Sequence, residues 1–201
     1  MAITNGYTTL EDFKAKYLPD AQDTDDDFYI EMIITMVSRE IDRYCDRHFY
    51  RNTVDETHYY TAREPNILYT EDIASITTLK TDEDGDRTYE VTWATTDYDL
   101  LPYNAAYQPQ VEPYTWIKVT PLGEYTFPLG EKGVQITGKF GYSSTAPAAI
   151  TMACMYWANS SYHRHDAPFG IMGMPGLGEM RVIAAMDPFV EMLLLPFRNK
   201  P

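Results

Sequence analysis

The 201-residue chain carries 16 basic and 30 acidic side chains, a formal net charge of −14 at neutral pH, with 44% hydrophobic and 23% charged residues. That is ordinary globular composition, with room for a sizeable core in one large domain or two small ones, and it excludes a disordered chain. The charge balance argues against wrapping nucleic acid, because phosphate-backbone affinity draws on Lys and Arg displacing counterions and no basic run occurs.

The opening MAITNGYTTLEDF has neither a basic start nor an apolar centre and is not expected to act as a signal peptide. No apolar run approaches the ~18 residues of a membrane span. Thr9 with Asp12 three residues on makes a capping box, and a short helix is predicted to about Tyr17. Pro19 and the run Asp20–Asp27 break it, and Asp25, Asp26 and Asp27 then sit where a helix start favours negative charge. The spacing of Ile30, Ile34, Val37, Ile41, Tyr44 and His48 predicts a second helix with one apolar stripe about five turns long. Arg39, Arg43 and Arg47 lie beside the stripe, toward the end where cations are favoured. The two cysteines, Cys45 and Cys154, both fall in predicted helices and read as buried reduced thiols, a single disulfide being the alternative, with folding expected in a cytoplasm.

From Thr53 to about Tyr142 the texture changes. THYYT, SITTLKT, RTYEVTWA, DYDLL, TWIKVT and GVQITGKFGY are rich in β-branched and aromatic residues and separated by Gly, Pro and Asp. TDEDGDR fits a hairpin turn centred on Asp84-Gly85. An antiparallel sheet or small barrel is expected.

Helix is predicted again after Ser144, with Pro147 in the first turn and Ile150, Ala153, Cys154 and Trp157 on one apolar face. GIMGMPGLG at 170–178 reads as a mobile loop, and Asp187-Pro188 opens a last short helix ending in LLLPFR. The expected fold class is therefore α+β: a small helical bundle from residues 1–52 and 144–201, interrupted by an inserted antiparallel β region at 53–143. Net charge over 1–52, 53–143 and 144–201 is −5, −9 and zero. Seven of the ten methionines fall between 152 and 192, and this neutral segment is either a docking surface or a methionine-filled core.

Candidate chemistry is sparse. Asp82, Asp84 and Asp86 flank Gly85 as in a calcium loop, but with that glycine at position 6, position 1 is Lys80 and position 12 is Val91, so an EF-hand fails and a solvated hairpin tip is expected. His163-Arg164-His165-Asp166 lacks further metal ligands, and no CxxC, HExxH or GxSxG occurs. The glycines of 170–178 follow a predicted helix, not a strand, so they do not form a phosphate loop. Cys45 and His48 share a predicted helix as a nucleophile pair would, but Cys45 borders the apolar stripe and core packing explains it better. Asp97 and Asp99 are expected on one exposed strand face. No catalytic residue, cofactor or metal is assigned, and an enzyme is not expected.

One stretch remains: SREIDRYCDRHF at 38–49. Ser38, Ile41, Asp42, Cys45, Arg47 and Phe49 resemble the signature of the tailed-bacteriophage head–tail connector (neck adaptor) family, with Val37 where the family often has Ala and Asp46 where a small residue is common. YTTLEDFK at 7–14 is similar to the family's opening helix. TGKFGYS at 137–143, followed by Pro147 and Ile150, resembles its passage into the third helix, and LLPFR at 194–198 its terminal segment. The resemblance covers both helical ends and, in the β region, only the last strand.

The resemblance implies a non-enzymatic virion protein in a ring of about a dozen copies beneath the portal, leading DNA to the tail without binding it specifically. It implies partners in the portal, other neck or tail proteins and the chain itself, made in the host cytoplasm and placed in the virion neck. Arg39, Arg43, Tyr44, Arg47 and Phe49 are the expected subunit interface. Met172, Met174, Leu193, Leu194, Leu195, Phe197 and Arg198 are the expected portal-docking residues, and deletion of 187–201 is expected to spare the fold. The rivals are a tail-completion or stopper protein, a carbohydrate-binding or hydrolytic domain suggested by ten tyrosines between 53 and 143, and a cellular α+β domain.

Overall fold

The computed structural model describes residues 3–19, 24–105, 112–121, 123–164, 171–174, 178–181 and 186–199, with 171–174 and 178–181 described by their backbone. Contacts divide the chain into two compact units, one of Met1–Asp46 with Ala146–Pro201, the other of Arg47–Thr145. The fold class is α+β, with helices from both ends of the chain and an antiparallel sheet between them in sequence.

In the first unit, α1 (Leu10–Tyr17) starts where the Thr9 hydroxyl accepts the Asp12 amide at 3.0 Å. The long helix α2 (Asp27–Cys45) buries Ile30, Ile33, Ile34, Val37, Ile41 and Cys45. That is the expected stripe, but it stops sooner. Asp46 takes the left-handed conformation (φ 53°, ψ 40°) and its amide bonds to the Asp42 carbonyl, so Arg47 and His48 are not helical. Aspartate tolerates this conformation better than most residues, because its short polar side chain bonds locally. Helix α3 (Ala148–His163) follows Pro147 and buries Ile150, Ala153, Cys154 and Ala158, with Trp157 only half-buried. Helix α4 (Pro188–Leu194) is capped by Asp187, whose carboxylate accepts the Phe189 amide at 2.7 Å, and runs into a 3-10 turn at Leu195–Phe197. Val190, Leu194 and Phe197 are core residues. Within the expected loop, Ile171–Met174 is instead a strand, β7, paired antiparallel with β8 (Gly178–Arg181) in the register Met172–Met180, and residues 170 and 175–177 lie outside the described residues. Four glycines and a proline between 170 and 178 hide strand propensity in that stretch. No helix among the described residues is long and apolar enough to cross a membrane.

The second unit is one sheet. Its strands are β1 (Glu56–Tyr60), β2 (Ile67–Thr81), β3 (Val91–Thr92), β4 (Tyr98–Leu101), β5 (Tyr114–Val119) and β6 (Val134–Phe140). The order is β1-β6-β2-β5-β4, all antiparallel, with β3 on the end of β2. Strand β2 carries register shifts between Tyr69 and Ile73 and again on its β6 side, and along its 15 residues it pairs with β5, β6 and β3. Leu68, Leu79, Ile117, Phe127, Val134 and Ile136 form the core beneath it, with Trp93 stacked on Phe127 (centroids 4.7 Å) and its indole N–H donated to Thr81 at 3.0 Å. RTYEVTWA supplies only the two residues of β3. Residues 87–90 of that segment belong to the connection between β2 and β3, where Arg87 is also left-handed (φ 72°), and Trp93 and Ala94 follow β3.

Candidate functional site

The stretch 38–52 is where the sequence concentrates its charge and aromatics, and the structure divides its duties. Ser38 sits buried on α2, donating to the Ile34 carbonyl at 2.7 Å, accepting the Tyr7 amide at 3.2 Å and lying 3.6 Å from the Cys154 sulfur. Tyr7 donates its hydroxyl to Asp42, and Arg39 reaches both Asp42 (3.2 Å) and the Asn5 carbonyl (2.7 Å), with its guanidinium 5.9 Å from the Tyr7 ring centre. Ser38, Arg39 and Asp42 thus bind the segment before α1 onto α2. Spacing alone did not reveal Tyr7 as their partner, because it lies 31 residues or more away.

Arg43 is different. It pairs with Glu40 at 2.5 Å, yet its side chain is 79% exposed. Tyr44 donates to Glu191 on α4 at 3.2 Å and has the Arg198 guanidinium 5.2 Å from its ring centre. Partial burial and the Glu191 carboxylate push the Tyr44 phenol up from its ordinary range. Cys45 is fully buried, its sulfur 3.9 Å from the Leu194 carbonyl, and Cys154 is buried too, so both thiols are core groups. Burial pushes the Cys154 thiol up to about 11.

Beyond Asp46 the chain enters the second unit. Arg47 Nε lies 3.4 Å from Asp72 Oδ2, with the two side chains 14% and 7% exposed. Its guanidinium also stands 5.5 Å from the Tyr142 ring centre. Burial lifts the Asp72 carboxyl above its ordinary range, against the opposing pull of Arg47 and His48. Phe49 is 0% exposed and packs on Tyr142 with ring centroids 5.2 Å apart. Residues 48–52 run along 140–142: Tyr142 donates to the His48 carbonyl (3.3 Å), Arg51 bridges Gly141, and the Asn52 side chain accepts the Phe140 amide at 2.5 Å. The two family-like motifs, SREIDRYCDRHF and TGKFGYS, therefore meet at these residues. Of the expected interface residues, Arg43 is largely exposed, Arg39 and Tyr44 are partly so, and Arg47 and Phe49 are taken up within their own unit.

The expected portal segment also splits. Leu194 and Phe197 are buried, Leu193 is half-buried, and Leu195 and Arg198 are exposed. Met172 and Met174 stand at alternate positions of β7. Leu195–Phe197 forms a tight turn, and the Asn199 amide is tied to the Cys45 carbonyl at 2.8 Å.

The acidic hairpin tip is occupied with its own backbone. The carboxylates of Asp82, Asp84 and Asp86 lie within 4.8 Å of one another. Asp82 accepts the amides of Gly85 and Arg87 (both 2.8 Å), Asp84 that of Asp86 (3.2 Å) and Asp86 that of Thr88 (2.7 Å). Burial of Asp82 works against its charge, but these amides prevail and hold its carboxyl below its usual range. Asp97 is not on an exposed strand face. It is buried in the turn before β4, accepting the Ala94 amide at 2.8 Å, while Asp99 accepts the Tyr103 hydroxyl at 3.1 Å. Of the HRHD run, His163 and Arg164 end α3, and His165 and Asp166 lie outside the described residues.

Two solved structures share this fold along the whole chain. A chain of the neck of an empty gene transfer agent (GTA) particle, computed with C6 symmetry, superposes with a TM-score of 0.59 at 16% identity, covering 100% of this chain and 94% of that one. A chain of the virion of a native GTA particle gives a TM-score of 0.57, with the same identity and coverage. No protein-family model matches the chain, and neither does any curated protein. The fold of this chain is thus one that particle-neck and virion chains adopt, helical ends and sheet together.

Proposed function

We propose that this chain is a structural protein of a virion neck: a head–tail adaptor that closes into a ring, docks on the portal and forms part of the DNA channel toward the tail. The observation that carries the reading is the likeness of fold, from end to end, to a chain from a particle neck with six-fold symmetry. The four family-like motifs support it in the same order along the chain. A ring of about a dozen copies is a multiple of six and fits a symmetry of that kind, with each copy offering two different surfaces to its neighbours.

In this reading Arg43, with Arg39 and Tyr44 beside it, belongs to the subunit interface. Arg47 and Phe49 act at one remove, by holding residues 47–52 against 140–142. Leu195, Arg198 and the exposed part of Leu193 meet the portal with Met172 and Met174, while Leu194 and Phe197 hold that segment in place. The net charge of −9 over residues 53–143 suits a channel wall that DNA passes without adhering. The protein is made in the host cytoplasm and resides in the neck, among portal and tail proteins.

The test is solution mass and negative-stain imaging of the purified chain, alone and co-expressed with the portal protein of the same virus. Closed rings with a central hole, free or on the portal, are expected. A chain that stays monomeric at every concentration and salt, and is not retained by portal, overturns the reading. Retention on portal also separates an adaptor from a stopper placed further along the neck.

A further inference from the structure

The outer face of α2 is apolar at one end and cationic at the other. At 3.6 residues per turn, Phe28, Met32, Met36 and Arg43 fall on one side of the helix, opposite the buried stripe. Each of the three apolar side chains is roughly half exposed. An exposed apolar stripe bordered by charge marks a protein contact, and methionine moulds to whatever covers it.

A second patch lies on other helices of the same unit. Tyr156 of α3 and Phe189 of α4 meet edge to face with centroids 5.1 Å apart. Met152 stands one turn before Tyr156 and Met192 three residues after Phe189, and all four are exposed. The exposed carboxylates beside this patch are Asp187, at the start of α4, and Glu191, next to Met192 and accepting from Tyr44.

Identical copies carrying −14 each repel one another, so contact is least costly where local charge is neutral or opposite. The second patch lies in the net-neutral segment 144–201, and the first ends on Arg43 in an otherwise acidic chain. The first patch has exposed Asp25 and Asp26 at its Phe28 end and Arg43 at the other, and it is the Arg43 end that matches the carboxylates of the second patch. A head-to-tail ring needs two different complementary patches per subunit. We infer that the Phe28–Met32–Met36–Arg43 face of one copy seats on the Tyr156–Phe189–Met192 patch of the next copy. The inference rests on the ring reading above and names the faces that close the ring.

Cysteine cross-linking tests it, since the native thiols are both buried. M36C, M192C and the M36C/M192C double variant are assembled, in solution or on portal, and treated with a short bis-maleimide. The parent chain serves as control and circular dichroism checks folding. A ladder of covalent oligomers from the double variant is expected, with dimers only from mixed single variants and none from either single variant alone. Dimers from M36C alone would mean that α2 meets α2, and intact rings without cross-links would mean that other faces close the ring. Either result overturns this pairing while leaving the ring. Failure to assemble in any form, parent chain included, removes the ring itself.

Discussion

Arg47 and Asp72 face each other at 3.4 Å inside the sheet unit, whereas Arg43, four residues earlier, points its guanidinium outward beside Glu40. The same residue type thus has opposite duties on either side of Asp46. Removing one partner of a nearly buried ion pair leaves the other charge uncompensated, at a cost of about 3–5 kcal/mol. An exposed helical pair contributes only ~0.2–0.5 kcal/mol. Arg47→Ala is therefore expected to lower the urea midpoint of the sheet unit strongly, and Arg43→Ala to leave stability nearly unchanged while weakening assembly. Urea titrations of both variants by far-UV circular dichroism, beside sedimentation of each, check the division.

Asp72 adds a pH signature. Its carboxyl is raised above the ordinary range by burial, so the native state takes up this proton before the unfolded chain does. The stability linked to this group is fully present below the ordinary carboxylate range and is lost as pH rises to the raised value. Without Arg47 the carboxylate loses the charge that opposes this shift, and the loss deepens. The penalty of Arg47→Ala should be smaller at about pH 4 than at about pH 7. Urea midpoints of parent and variant at the two pH values give the answer, and a penalty independent of pH would contradict the coupling.

Gly141 lets the two family-like motifs lie together. Its φ is +106°, and a Cβ there would stand 2.0 Å from the Tyr50 carbonyl oxygen and 2.8 Å from the Arg51 Cα. Both obstacles are backbone, so they cannot rotate away. Gly141→Ala is expected to cost at least ~2 kcal/mol and to lower the unit's Tm by roughly 10 °C. Gly130 is the control, since a Cβ there meets nothing within 4 Å, and Gly130→Ala should leave Tm in place.

What the sequence made legible follows the range of the forces involved. The α2 stripe, the Thr9 and Asp187 caps and most strands are local patterns, written within a few residues of where they act. The end of α2 was not legible. Arg43 to Arg47 keeps helical spacing, and only the left-handed turn at Asp46 redirects Arg47 toward Asp72, 25 residues on. The pairing of β7 with β8 was hidden for the opposite reason, because glycine-rich strands look like loops. LLPFR is only partly a surface segment, since its Leu194 and Phe197 are buried. Val190, Leu194 and Phe197 recur at i, i+4 and i+7, which is a core stripe as readily as a docking one.

A truncation at the C-terminal end is a poor test of portal docking, because that end supplies core residues. Deleting residues 187–201 would remove three core side chains, Val190, Leu194 and Phe197. Each contributes about 1.5–3 kcal/mol by burial. The bond from the Asn199 amide to the Cys45 carbonyl, at 2.8 Å, would go with them. Lost portal binding in that truncation would report unfolding, not contact. Leu195 offers a cleaner probe, since it is exposed and flanked by the buried pair that holds it. Leu195→Glu should keep the Tm of the parent within a few degrees and cut retention on portal at least tenfold, about 1.4 kcal/mol. Leu194→Glu should instead unfold the helical unit. Retention unchanged in a folded Leu195→Glu protein would move the portal contact away from this turn.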